Sequence, residues 1–194
     1  MLTQSTHRQQ LLIAAGLAIL MAATRGHHFA TLQHLPSASW AVFFLAGVYL
    51  RPRWALPALL AATWLLDFAA VTWGNSSSFC LTPAYVFLLP AYSSLWLAAR
   101  IYAGHYRFAW RTLLPLGVSV LLGAFACELF SSGGFYFFSG RFAAPTFSEF
   151  ASRLVTYFPA SLQSLAFYVG IAALLHVAFT LLRGTVRRNT TSRA

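Results

Sequence analysis

The sequence predicts an all-α membrane protein, a six-transmembrane-helix bundle, from three observations. Hydrophobic residues make up 59% of the 194 and charged ones only 8%, with a mean hydropathy of +0.66. A water-soluble domain of that composition would expose large apolar patches, so lipid is the natural solvent. The apolar residues fall into six segments, at about 10–24, 38–50, 54–73, 81–103, 110–131 and 152–182. A spanning helix needs roughly 20 residues, so the length holds about six spans with short connections, one integral membrane domain over residues 1–194. Finally, the basic residues sit almost entirely at segment ends, as they do where chains cross a bilayer.

Each segment has its own signals. The opening MLTQSTHRQQ resembles the n-region of a signal peptide, but the apolar run passes into polar RGHHF without a small-residue cleavage site, so it reads as a retained first span. The first two segments are short for a straight crossing. Tilting, local bilayer thinning or packing inside the bundle would each accommodate them. Pro90 and Pro159 are expected to kink or break their helices, because proline removes a backbone donor and clashes with the preceding turn. The stretches GNSSSF at 74–79 and SSGGFYFFSG at 131–140 read as loops on one side. The second reads either as a lid over a site, its glycines permitting unusual backbone angles, or as an interfacial aromatic belt.

All 13 basic residues are arginines. Without lysine there is no Walker A phosphate loop, so the chain has no ATPase of its own. A net charge of +10 would suggest nucleic acid in a soluble protein, but between apolar segments it reports orientation instead. Ten arginines (Arg8, Arg51, Arg53, Arg100, Arg107, Arg111, Arg183, Arg187, Arg188 and Arg193) fall on one side. Only Arg25, Arg141 and Arg153 fall on the other. The positive-inside rule then assigns both termini to the cytoplasm.

Polar groups within spans are expensive, so each is a functional hypothesis. Asp67 lies thirteen residues past Trp54, about 20 Å along helix three and in its outer half. Glu128 near the end of helix five, Arg25, His27 and His28 after helix one, Cys80 and Tyr85 around the start of helix four, and Arg153 opening helix six all fall on the same outer face. Such convergence reads as a pocket entered from outside, with Trp73, Phe79, Tyr85, Phe135 and Tyr136 available as walls. Asp67 is read both as half of an ion pair with an arginine such as Arg153 and as an acceptor for a ligand amide; the two are compatible. Glu128 belongs either to the pocket or to the wet interface. His27 and His28, adjacent on a chain, point about 100° apart if helical, so one at most faces the pocket. One histidine with one cysteine is too small a set for transport of a free metal ion. His176, toward the inner end, reads as a packing residue.

Cys80, in SSSFCLTPAY, is the most informative residue. A thiol on the oxidising side of a membrane invites damage unless it is used or protected. Cys127 lies deep in an apolar segment, so two free thiols are expected rather than a disulfide. A thiolate at Cys80 is suited to ligating a metal held within a larger ligand, or to attacking an electrophile.

TRGHHF at 24–29, WLLDF at 64–68, SSSFCLTPAY at 76–85 and Arg153 together resemble the S-components, the substrate-binding membrane subunits of energy-coupling-factor (ECF) vitamin transporters, and within them the cobalamin-type BtuM family. The resemblance extends over essentially the whole chain, with the cysteine in its loop as its most specific part. It implies uptake of vitamin B12 (cobalamin) across a bacterial inner membrane. The Cys80 thiolate would be an axial ligand to the corrin cobalt in a base-off complex, and His28, Asp67, Tyr85 and Arg153 would bind the corrin periphery. It also implies docking on an ECF T-component and its ATPases. Ala14, Ala18 and Ala22, spaced four apart, match the small-residue face used for that contact. No nucleic acid and no nucleotide bound by this chain are expected. A thiolate on cobalt donates electron density and favours loss of cyanide from cyanocobalamin, so the chain is read as a transporter with decyanation by Cys80 as a catalytic role left open. One cysteine supplies one electron, so turnover would need an external thiol or reductant.

Three other readings stand beside this one. The chain is an S-component for another vitamin, or a membrane thiol enzyme with Cys80 as nucleophile and His28 as base, or a scaffold subunit using its alanine face and basic loops. The last leaves the outer polar cluster unexplained.

Overall fold

The computed structural model describes residues 6–25, 36–73 and 82–191, with side chains through residue 182. Of the described residues 86% are helical and none is in a strand, and they form an all-α bundle. Its helices are α1 (His7–Arg25), α2 (Ser39–Tyr49), α3 (Ala55–Trp73), α4 (Leu88–His105), α5 (Leu113–Phe138) and α6 (Phe147–Thr191). Short 3-10 turns over Pro83–Phe87 and Trp110–Thr112 lead into α4 and α5. Four segments are long and apolar enough to cross a membrane: Ala55–Trp73, Pro83–His105, Trp110–Phe138 and Phe147–Leu182. Their outward faces are apolar, with Leu114 75% and Val155 76% exposed. Burial against lipid is what such faces require.

The short second segment is an interior helix. Eleven residues rise only about 16 Å, too little for a straight crossing. α2 instead touches α1, α3, α4 and α6, and Ser39 and every residue from Ala41 to Gly47 are buried. Phe43 stacks on Tyr92 of α4 at 4.3 Å between ring centroids. A side chain at Gly47 would meet the Trp96 carbonyl oxygen at 2.5 Å, so glycine is what lets α2 and α4 approach. Its orphan ends are satisfied by neighbours: Thr24 Oγ1 accepts from the Ala38 N–H, and Arg100 donates to the Leu50 carbonyl.

Where a loop or lid was expected at 131–140, α5 continues as helix to Phe138. Gly133 and Gly134 take no unusual backbone angle. Both are buried, and a Cβ on Gly134 would collide with the Phe87 side chain. Glycine here lets the Pro83–Phe87 turn press against α5, and tertiary packing overrides the local turn signal. Within this stretch φ becomes positive at Gly140, +70°, just past the helix end. α6 likewise starts earlier than expected, at Phe147, where Thr146 Oγ1 accepts from the Glu149 N–H as a helix cap. α6 runs through Pro159 unbroken. At Pro90 the departure from α geometry comes just before the proline, as the 3-10 turn.

Candidate functional site

The C-terminal ends of α1 and α3, the start of α2, the Pro83–Phe87 turn, the second half of α5 and the first half of α6 meet at one end of the bundle. They enclose a cavity of 750 Å³. This volume lies within the usual range of small-molecule sites, roughly 300–1,000 Å³.

Its polar wall is built around Arg25, the last residue of α1. The guanidinium grips Asp67 of α3 with two parallel bonds, Nε to Oδ1 at 2.6 Å and Nη2 to Oδ2 at 2.7 Å. Nη1 donates to Ser39 Oγ at 2.8 Å and to the Tyr92 hydroxyl at 2.9 Å. Tyr85, on the 3-10 turn, donates to Asp67 Oδ2 at 2.7 Å. Five side chains from α1, α2, α3, the turn and α4 thus form one network. The planar fork of Arg25 matches the carboxylate, the strong geometry for such a pair. With side chains only 14% and 24% exposed, each charge depends on the other for its solvation.

The opposite wall comes from α5 and α6. Arg153 lies over the rings of Phe142 at 4.9 Å, Tyr136 at 5.6 Å and Tyr157 at 5.7 Å. Tyr136 is fixed through its hydroxyl, which donates to Glu149 Oε2 at 3.0 Å and accepts from the Thr146 N–H. Between the walls, Glu128 faces the cavity with Ser132 Oγ donating to its Oε1.

Asp67, Tyr85 and Arg153, singled out in the sequence, therefore line one cavity, together with Phe135 and Tyr136. The expected Asp67–Arg153 pair does not form. Asp67 is held by Arg25, while Arg153 is on the far wall among aromatic rings. Trp73 is no wall of the cavity; it is 77% exposed. Glu128 is not in a wet interface at a helix end. It is 3% exposed, and α5 runs ten residues beyond it. Cys127 is a free, fully buried thiol in the core. Cys80, His27, His28 and Phe79 lie outside the described residues. Ala14 and Ala18 are half-buried and Ala22 is exposed, with Ala14 packed on the core.

Tyr92 and Ser39 were not foreseen as contributors, and Arg25, placed on the outer face, was not foreseen as the partner of Asp67. A signal for Arg25 was present, because it is one of only three arginines on the side that holds all three acids, Asp67, Glu128 and Glu149. Among the described residues there is no group of three or more His, Cys, Asp or Glu side chains that would hold a free metal ion. The cavity can accept ligand amides at its carboxylates, donate from its hydroxyls and Arg153, and stack a flat ligand on its aromatic wall. No protein-family profile matches the chain, and comparison with curated proteins finds no match.

Proposed function

We propose that this protein binds cobalamin and takes it up across a bacterial inner membrane, as an S-component-type subunit of the BtuM family. In this reading all six helices belong to the membrane domain, both termini are cytoplasmic, and the 750 Å³ cavity opens outward. The observation that carries it is the meeting of Asp67, Tyr85 and Arg153, from three separate segments, around one cavity.

The cavity's chemistry suits a corrin. Its rim of amides finds acceptors in Asp67 and Glu128, and its flat, partly apolar face finds the Tyr136 and Phe142 rings. Arg153 meets no carboxylate among the described residues, which leaves it for a ligand carbonyl or the nucleotide phosphate. Cys80 thiolate takes one axial position of the cobalt, displacing the vitamin's own base, and His28 completes the periphery. The chain powers nothing by itself. An ECF T-component with its ATPases, docked through the Ala14/Ala18/Ala22 face, supplies the energy.

The test is the visible spectrum. Purified wild type washed after incubation with cobalamin is expected to keep corrin absorbance, Cys80→Ala to lose it, and riboflavin and biotin to bind neither. Wild type that stays colourless overturns the assignment. Binding of riboflavin or biotin in place of cobalamin would make it an S-component for another vitamin. If Cys80 also promotes decyanation, cyanide release in the presence of excess thiol should fall in Cys80→Ser, and an unchanged rate sinks that role.

A further inference from the structure

A second cavity, of 350 Å³, opens at the other end of the bundle, among the ends of α2 and α4, the Trp110–Thr112 turn, the start of α5 and the second half of α6. Its deep part is wholly apolar, with Leu45, Leu116 and Val169 about one turn or more inside the helix ends. Toward the mouth it becomes polar. His176 stands 5.6 Å from the Tyr106 ring and 6.0 Å from that of Tyr49, Tyr102 is 5.9 Å from Tyr106, and Arg107 is beside them. Among the described residues, the three hydroxyls, the imidazole and the guanidinium have no hydrogen-bond partner. Arg107 is exposed and Tyr49, Tyr106 and His176 are half-buried, so their donors are open to whatever enters the mouth.

Charge narrows the occupant. Arg51, Arg53, Arg100 and Arg111 lie at the same end as Arg107, whereas Asp67, Glu128 and Glu149, all the acids of the chain, lie in the opposite half. Trp110, 88% exposed beside the mouth, is the kind of residue that sits at headgroup level. An apolar slot, a mouth of unpaired donors and uncompensated arginines at the membrane–water boundary match an anionic amphiphile. We propose that this cavity binds one anionic phospholipid. An acyl chain fills the slot, and the phosphate meets Arg107 and the Tyr49, Tyr106 and His176 donors.

The full-length protein, delipidated in neutral detergent, is titrated with phosphatidylglycerol and with phosphatidylcholine of the same chains, and bound lipid is counted by native mass spectrometry. One phosphatidylglycerol is expected to be retained in preference to phosphatidylcholine. Arg107→Gln should weaken it about fivefold, the factor for roughly 1 kcal/mol per basic residue near a phosphate surface. Arg53→Gln, with the same charge change outside the cavity, should leave it unaltered, and Ala173→Phe, which fills the slot, should abolish it. Equal retention of the two lipids, equal losses in Arg53→Gln and Arg107→Gln, or unchanged retention in Ala173→Phe overturns the proposal. So does displacement of the lipid by inorganic phosphate at equal concentration, which would mark a site for a free anion.

Discussion

The cavity around Asp67 and the cavity around Tyr106 are both lined by α2, α4, α5 and α6, yet they treat their polar groups in opposite ways. Around Asp67, carboxylate, guanidinium and hydroxyls bind one another before any ligand arrives. Around Tyr106, three phenols and an imidazole touch one another through their rings and share a mouth without a hydrogen-bond partner among the described residues. The difference follows from where the acids are. A buried arginine and a buried carboxylate must be paired, so Asp67 recruits Arg25 and the hydroxyls near it and becomes a rigid, preorganised wall. The other end has arginine without acid and is left to recruit its counter-charge from outside.

The largest expected break in this contrast is Asp67→Ala. Removing one partner of a largely buried pair leaves Arg25 uncompensated, and about 3 kcal/mol of stability should be lost, read as thermal unfolding in detergent. The double change Arg25→Met with Asp67→Leu should recover most of it, because no lone charge remains. An Asp67→Ala protein as stable as wild type would refute the network. Next in size is Tyr85→Phe, which deletes a hydrogen bond to a charged acceptor and should cost about 1.5–3 kcal/mol in the same assay. Arg153→Gln comes third. It loses only the attraction to three rings, about 1 kcal/mol, and in the cobalamin reading it should weaken the vitamin more than it weakens the fold. Smallest is Tyr106→Phe. Since its hydroxyl has no partner among the described residues, the change should stay within about 0.5 kcal/mol in lipid-free detergent. A cost for Tyr106→Phe as large as that for Tyr85→Phe would erase the distinction between the two cavities.

Much of the site was legible because polar residues in apolar segments are few. With three acids in the chain, Asp67 and Glu128 stood out at once, and their depth along their helices placed them toward one end. Which arginine met Asp67 was not legible. Arg25 and Arg153 are both on that side, and only the packing of α1 on α3, 42 residues apart, chooses the first. Local signals misled at Ser131–Gly134, where serine and glycine imply a turn but the Phe87 ring needs a helix face without Cβ atoms.

By itself, then, the sequence determined the solvent, the helical class and the gathering of Asp67, Tyr85 and Arg153 at one end, since hydropathy and the cost of buried charge act along the chain. Tertiary structure decided that the second segment is an interior strut, that Arg25 neutralises Asp67 while Arg153 is kept among aromatic rings, and that the far end encloses a polar-mouthed slot. These depend on which helix faces touch. Contacts between distant segments are set by packing shape and pairwise charge, which no single segment encodes.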